Sequence, residues 1–239
     1  MGRSDRRTPS EWNLDTWADD IVRLCDALDI EHPYVLGASF GGMVAMRYLA
    51  RHPHHPAKVV LLCTSARVDV DQQVVVARAR GLDEESLDAA ERFWRTPTAE
   101  TGAAYLPKSD KFYVVSAATP PGRAVQNYEI MFHFLPEKAS MGLLPGLDAV
   151  TCPVLVMGGA LDPISPAKGH RAIASVIGET ATLDVLDGAS HIVWADHPDC
   201  IPRLEHLKSA RRRAARRRRR DSVLGWRMKP ERSGSPAAS

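Results

Sequence analysis

The feature that most constrains this chain is a glycine-rich turn between an apolar run and an amphipathic run. Residues 33–37 predict a buried strand, and residues 40–51 predict a helix that ends before Pro53. Between the two lie Gly37, Ser39 and Gly41 in the pattern Gly-x-Ser-x-Gly. In this context the serine occupies a sharp, strained turn that presents its hydroxyl as a nucleophile. The turn requires little bulk two residues to either side, which predicts the need for Gly37 and Gly41.

Similar alternation of helix and strand continues along the chain. We predict a helix over 12–29, strands over 58–63, 153–158 and 181–186, and a helix over 166–177. This order indicates an α/β fold with a mostly parallel sheet. Residues 71–147 break the alternation and predict an inserted helical lid, with helices at 83–95 and 124–135. We therefore divide the chain into core 1–70, lid 71–147, core 148–202 and a basic tail, 203–239.

Two further residues complete a set that a serine nucleophile needs. A serine hydroxyl is a weak nucleophile unless a base takes its proton and an acid orients that base. Asp162 directly follows one predicted strand, and His191 follows the next. Functional groups of parallel sheets lie at the carboxyl ends of the strands, and the order Ser, Asp, His fits the strand–turn–helix serine motif. Asp162 and His191 are therefore the predicted acid and base.

The chain resembles the α/β-hydrolase superfamily, and within it the proline iminopeptidase-like hydrolases. The stretches that carry the resemblance are GRSDR, WNLDTWADDIVRLCDALDI, VLGASFGGMVAMRYLARHP, LLPGLDAVTCPVLVMGGALDP and DGASHIVWADHPD. The resemblance implies that Ser39 attacks a carbonyl, that His191 transfers the proton and that Asp162 holds the histidine tautomer. The Phe40 N–H would donate to the oxyanion. Glu129, in the lid segment YEIMFHF, would pair with the free amino group of an aminopeptidase substrate.

Several functions share these residues. The leading prediction is hydrolysis of a small ester, amide or short peptide through an acyl-enzyme, with an N-terminal proline amide as one such substrate and no cofactor. A lactonase or thioesterase would use the same Ser39, Asp162 and His191. Lid shape sets substrate choice, so the sequence leaves these alternatives open.

The resemblance also predicts an N-terminally shortened fold. Family chains have several strands upstream of the segment that matches Gly2-Arg3-Ser4-Asp5, where this sequence opens. We therefore expect a partial α/β-hydrolase fold that lacks the N-terminal strands, with the Ser39 strand at an exposed sheet edge. Only Phe40 would then supply the oxyanion hole, and the chain would be an impaired hydrolase.

The distribution of charge and the placement of the cysteines limit the partners and the location that the sequence predicts. Residues 203–239 hold 13 of the 31 Lys and Arg residues but 3 of the 29 Asp and Glu residues. Such a tail predicts a disordered, polyanion-binding segment with weak affinity for nucleic acid. Four scattered cysteines predict reduced thiols and a cytoplasmic location, and no run is apolar enough for a membrane span. The sequence places His52, His54 and His55 close together, but no further ligand is spaced to complete a metal site.

Overall fold

A computed structural model describes residues 8–116, 128–137 and 140–203. Within these residues, four strands form one sheet in the order β1-β2-β3-β4, and every neighbouring pair is parallel. The strands are β1 (Tyr34–Ala38), β2 (Lys58–Leu62), β3 (Val154–Gly159) and β4 (Ala181–Leu186). The α/β architecture and all four predicted strand positions are therefore confirmed.

Helices alternate with these strands and cover the sheet. The longer ones are α1 (Leu14–Ala27), α2 (Phe40–Arg51), α3 (Val70–Ala79), α4 (Glu84–Arg95) and α8 (Ala167–Ile177). The shorter ones are α5 (Ala99–Tyr105), α6 (Asp110–Tyr113), α7 (Tyr128–Phe134) and α9 (Val193–Asp196). All six residues of β3 are buried, because a central parallel strand is covered on both faces.

The segment between β2 and β3 is richer in helices than the sequence predicted. Two helices were expected there, and the described residues form five, α3 to α7. Their apolar side chains make a small separate core in which the Phe93 and Tyr105 rings stack with centroids 4.8 Å apart. Helix α3 escaped prediction because its three consecutive valines break the 3.6-residue periodicity of an amphipathic helix.

Strand β1, which leads to Ser39, lies at the edge of the described sheet. It pairs with β2 alone, and the side chains of Tyr34 and Leu36 are 58% and 55% exposed. Leu24 and Leu28 at the end of α1 are also exposed. The edge position expected for this strand is thus found within the residues that the structure describes.

The chain divides into two compact units, 1–198 and 199–239. The first contains the whole described sheet and helices α1 to α9. Of the second, only 199–203 are described, so the predicted polyanion-binding tail lies outside the described residues beyond Arg203. Among the described helices, none combines the length and apolar character needed to cross a membrane.

A buried histidine in α8 predicts acid sensitivity of the fold. His170 is fully buried, its two ring nitrogens have no hydrogen-bond partner among the described residues, and burial lowers its pKa from 6.5 to about 4. Between these values the unfolded state binds more protons, so stability falls as pH falls. We expect this residue to remove about 3 kcal/mol of unfolding free energy between pH 7 and pH 4.

Denaturant unfolding of His170→Leu across this pH range checks the expectation. The variant should lose most of the acid sensitivity, because leucine binds no proton in either state. His54→Leu is the matched control, since His54 is exposed and its side chain has one hydrogen-bond partner, Thr151, among the described residues. An unchanged pH slope in His170→Leu would contradict the prediction.

Candidate active site

The turn between β1 and α2 holds Ser39 in a strained backbone conformation. Its φ of 50° and ψ of −121° lie in a region that favours glycine, at a cost of about 1–3 kcal/mol. Two hydrogen bonds fix the turn to neighbouring backbone. The Ser39 N–H donates to the Leu62 carbonyl at 2.9 Å, and the Thr64 hydroxyl donates to the Ser39 carbonyl at 2.8 Å. The strained serine is therefore anchored to the end of β2.

The steric requirement at this turn differs in one position from the prediction. A Cβ on Gly37 would come within 2.6 Å of the Gly41 carbonyl oxygen, so Gly37 is needed as expected. A Cβ on Gly41 would meet nothing within 4 Å among the described residues, and the expectation for this glycine is wrong. The tight neighbour is Gly42, whose Cβ would lie 2.5 Å from the Thr64 side chain. Helix α2 packs over Thr64 through Gly42, so the crowding arises from tertiary contact with β2.

The structure brings Ser39, His191 and Asp162 together in one chain of hydrogen bonds. The His191 Nε2 lies 2.9 Å from the Ser39 Oγ, and the His191 Nδ1 lies 2.8 Å from the Asp162 Oδ2. Asp162 follows β3 and His191 follows β4, so both loops leave the carboxyl edge of the sheet beside the end of β1. Parallel strands place these ends together, which is why residues 152 positions apart meet.

The Asp162 carboxylate is fully buried and its two oxygens have different partners. Oδ1 accepts from the backbone N–H groups of Ile164 and Ser165, at 2.8 and 2.9 Å. Oδ2 remains for the histidine, which is itself only 5% exposed. A buried carboxylate is tolerated when its lone pairs are satisfied in this way. The two backbone donors also fix the orientation of the carboxylate toward His191.

An apolar cavity of about 260 Å³ opens beside Ser39. Its walls combine residues after β2, such as Thr64 and Arg67, with aromatic and aliphatic side chains from the segment between β2 and β3. These are Trp94 of α4, Tyr113 of α6, and Ile130 and Phe134 of α7. Among the described residues no carboxylate lines this cavity.

Aromatic packing fixes one wall of this cavity. The Phe40 ring contacts Trp17 of α1 and Phe134 of α7, with centroids 5.8 and 5.1 Å apart. Trp17 and Phe134 are themselves 4.9 Å apart. Since Phe40 directly follows Ser39, this cluster ties α1 and α7 to the turn that holds Ser39. Phe40 is the first residue of α2, so its N–H lies at the helix N-terminus as predicted.

Glu129 lies on α7 but outside the cavity wall. Its side chain is exposed, whereas Ile130 and Phe134 of the same helix line the cavity. Its assignment to a substrate amino group stays a prediction, without support from cavity lining. The three clustered histidines contact separate groups: His52 the Asp19 carboxylate, His54 the Thr151 hydroxyl and His55 the Tyr48 hydroxyl. No cluster of three metal-ligating side chains occurs in the described ranges.

Arg80, at the end of α3, joins the loops of Asp162 and His191 to α6. Its guanidinium donates to the Leu161 carbonyl at 3.3 Å and to the Ser190 hydroxyl at 2.8 Å, one residue before each site residue. It also donates to the carbonyls of Lys111, Phe112 and Val114. Burial lowers the pKa of Arg80, yet it stays charged far above neutral pH.

Asp196 reinforces this junction from α9. One carboxylate oxygen accepts from the Ser190 N–H at 2.8 Å, and the other accepts from the N–H groups of Val115 and Ser116. Together, Arg80 and Asp196 fix the loop of His191 to the segment after α6.

Replacing Arg80 with methionine is expected to disturb the site without removing any of its three central residues. The buried carbonyls would lose their donor, at about 1–3 kcal/mol each where water does not replace it. We expect a loss of about 2–4 kcal/mol in unfolding free energy and a fall of roughly 10–100-fold in kcat, because loop displacement misaligns the reacting groups. Denaturant unfolding and steady-state ester hydrolysis measure the two effects.

Arg78→Met is the matched control, because Arg78 is exposed on the same helix and, within the described part of the chain, its guanidinium pairs with Glu84 alone. It should leave both quantities close to those of the parent protein. An Arg80→Met variant with the parent kcat would show that the junction does not position the site.

The sequence missed Thr64, Arg80 and Asp196. Thr64 had a usable signal, because it follows β2 at the same sheet edge as Asp162 and His191. Arg80 and Asp196 had none, since the partners of Arg80 lie 31 to 110 positions away and those of Asp196 lie in loops without periodicity, up to 81 positions away. Their roles depend on how the helices between β2 and β3 pack against the strand ends.

A parallel sheet with polar side chains gathered at its carboxyl edge defines an α/β protein with its site at the strand ends. The chain belongs to the alpha/beta hydrolase fold family, whose model matches residues 1–198. The resemblance inferred from the sequence is therefore confirmed at the level of the superfamily. Proteins similar to this chain are hydrolases, and this supports the general conclusion that the chain is a hydrolase.

Three individual similarities illustrate the relationship. The chain is 26% identical over 207 residues to 3-oxoadipate enol-lactonase 2 of Acinetobacter baylyi. This match covers 84% of this chain and 72% of that protein. A 62-residue match to 2-hydroxymuconate semialdehyde hydrolase of a Pseudomonas species is 39% identical but spans 26% of this chain and 22% of that protein. The crystal structure of proline iminopeptidase from Mycobacterium smegmatis superposes with a TM-score of 0.58 at 21% identity, covering 83% of this chain and 71% of that one. The last similarity concerns the fold alone.

Proposed function

We propose that this chain is a serine hydrolase that cleaves a small ester through an acyl-enzyme on Ser39. The observation that carries the proposal is the continuous hydrogen-bonded chain from the Ser39 Oγ through His191 to the Asp162 carboxylate. A serine with a histidine base and a buried acid behind it is arranged for nucleophilic attack.

In the proposed mechanism each of the three residues has one role. His191 Nε2 takes the Ser39 proton as the Oγ attacks the carbonyl carbon, and the imidazolium then gives this proton to the departing alcohol oxygen. Asp162 holds the Nδ1 proton in place and stabilises the imidazolium charge. Water, deprotonated by His191, then attacks the acyl-enzyme and releases the acid together with Ser39. No electrons are transferred, and one water is consumed.

In this mechanism the start of α2 stabilises the oxyanion of the tetrahedral intermediate. The Phe40 N–H and the positive end of the helix dipole lie beside Ser39 and favour negative charge there. Each donor of an oxyanion hole is worth about 10²–10³ in turnover, so this group is central to the rate.

An ester or lactone is favoured over an aminopeptidase substrate by the cavity lining. The wall is mostly apolar, its charged group is the cationic Arg67, and Glu129, the group that the aminopeptidase interpretation needs, is not among the described lining residues. One of the named relatives is an enol-lactonase, which supports this class of reaction. The volume of about 260 Å³ fits a small substrate.

A rapid-quench experiment with p-nitrophenyl butyrate tests the proposal. We expect a burst of p-nitrophenol, followed by slower turnover, and a butyryl adduct that peptide mass spectrometry maps to Ser39. A fluorophosphonate probe should label the same residue. Absence of both adducts in folded protein would favour the alternative of an impaired hydrolase.

A further inference from the structure

A second cavity adjoins the one beside Ser39. Its volume is about 470 Å³, and Ser65 and Arg67 line both cavities. The remaining walls come from the start of α3, from the loop 141–145 before β3 and from the start of α8. Residues 65 and 67 follow β2 immediately, so the junction between the cavities lies at the same sheet edge as Ser39. The mechanism proposed above does not use this second space.

Among the described residues that line the second cavity, positive charges outnumber negative charges. Arg67 and Lys168 are exposed cations on its wall, and no ion pair to either is found within the described ranges. Asp69, the one carboxylate that the described residues contribute to this wall, already caps α3 by accepting from the Gln72 N–H at 3.1 Å. The wall therefore offers positive charge to an incoming anion.

A buried hydroxyl lies at the junction. Ser65 is 8% exposed, and its Oγ has no hydrogen-bond partner among the residues that the structure describes. Buried hydroxyls normally find a partner, because an unmade hydrogen bond costs about 1–3 kcal/mol. Ser65 lines both cavities, so rotation of its side chain would bring this unpaired hydroxyl to an acceptor that reaches from one cavity into the other. The neighbouring walls are apolar, with Leu143 and Leu144 among them.

We propose that the second cavity is a subsite for the anionic end of the substrate, an ester with a carboxylate several bonds from the scissile carbonyl. Arg67 and Lys168 bind the carboxylate, Ser65 donates to it or to the adjoining chain, and the apolar walls cover the methylene groups. This inference rests on the proposed function and narrows its substrate class. Arg67 is the main determinant, because it borders both cavities and its planar guanidinium matches a carboxylate.

Substrate pairs of equal length test the subsite. The half-esters of p-nitrophenol with succinate, adipate and suberate are compared with the neutral butyrate, hexanoate and octanoate esters. At one chain length, kcat/KM for the charged ester should exceed that of its neutral partner by about 10–100-fold, the value of a charged hydrogen bond. A further pair of charged and neutral esters, with the carboxylate placed on the departing alcohol, tests the opposite orientation of the substrate in the two cavities. Added salt should reduce the preference.

Variants assign the preference to its residues. Arg67→Gln should bring the charged-to-neutral ratio of kcat/KM close to one, Lys168→Gln should reduce it, and Arg67→Lys should restore part of it. Arg171→Gln is the matched control, because it removes one positive charge from an exposed position on α8 outside both cavities. If Arg171→Gln lowers the charged-to-neutral ratio of kcat/KM as much as Arg67→Gln does, the preference depends only on net charge. That result would overturn the assignment to Arg67.

Binding to the Ser39→Ala variant separates failure of the subsite from failure of the proposed function. Calorimetry should detect adipate binding that Arg67→Gln weakens at least tenfold in the same background. If this binding occurs while the parent protein cleaves no ester, the subsite stands and the hydrolase proposal fails. If neutral esters are cleaved, yet no charged ester is preferred in either orientation and no dicarboxylate binds, the subsite proposal is overturned.

Discussion

Replacing Ser39 with alanine is expected to lower kcat/KM for p-nitrophenyl butyrate by roughly 10⁴–10⁶-fold and to abolish fluorophosphonate labelling. The hydroxyl is the only group of this residue that contacts His191, at 2.9 Å, so alanine removes the attacking atom and leaves the backbone turn intact. Ser165→Ala is the matched control. Ser165 lines the same cavity, but its hydroxyl donates to the Cys63 carbonyl and contacts no base. Ser165→Ala should retain the label.

A glycine at the same position separates activity from stability. Ser39 holds a φ of 50°, which costs a residue with a Cβ about 1–3 kcal/mol and glycine much less. Ser39→Gly should therefore be as inactive as Ser39→Ala yet more stable by about 1 kcal/mol, measured by denaturant unfolding. Equal stability of the two variants would show that the turn stores no strain. Persistent turnover in both would refute the role of Ser39.

Replacing Asp162 with asparagine is expected to lower kcat by roughly 10⁴-fold while keeping the fold. The reason lies in the two backbone N–H groups on Oδ1, from Ile164 and Ser165. An asparagine must keep its oxygen toward these donors, so its NH₂ group turns toward the His191 Nδ1. This nitrogen then has to accept, which places the histidine proton on Nε2. In that tautomer His191 cannot take the proton of Ser39.

Steady-state kinetics and unfolding together measure this effect. Asp187→Asn is the matched control, because Asp187 is exposed in the turn after β4 that leads to His191. It should leave kcat within about twofold, since a surface carboxylate outside the hydrogen-bonded chain does not set the tautomer. A full-rate Asp162→Asn variant would contradict both the tautomer argument and the proposed role of Asp162.

Local patterns in the sequence were informative wherever backbone conformation depends on near neighbours. The strands β1 to β4 and helix α2 were predicted within about one residue, because buried runs, glycines and Pro53 act over a few positions. Ser39, Asp162 and His191 were found for the same reason: each sits just past a predictable strand. Their proximity follows from the parallel order of the sheet, which the alternation of helix and strand predicts.

The prediction weakened where residues far apart in the sequence pack together. Helix α3 was missed because of its three consecutive valines, and α5 and α6 were missed because seven and four residues are too few to display a helical period. The need for Gly42 rather than Gly41 was also missed, since the crowding comes from Thr64, in the loop that follows β2. The resemblance suggested Glu129 as a substrate ligand, but which face of α7 lines the cavity is set by tertiary packing.

The sequence by itself determined the α/β architecture, the turn at Ser39 and the order of the three residues that meet there. Those properties depend on local sterics and on the period of apolar residues, which a chain displays directly. The tertiary structure alone decided the junction at Arg80, the strained link from Ser39 to Thr64 and the second cavity bordered by Arg67. Each of these features needs contacts between segments that are far apart in the sequence. The free energies of those contacts depend on distances that a local sequence pattern does not predict.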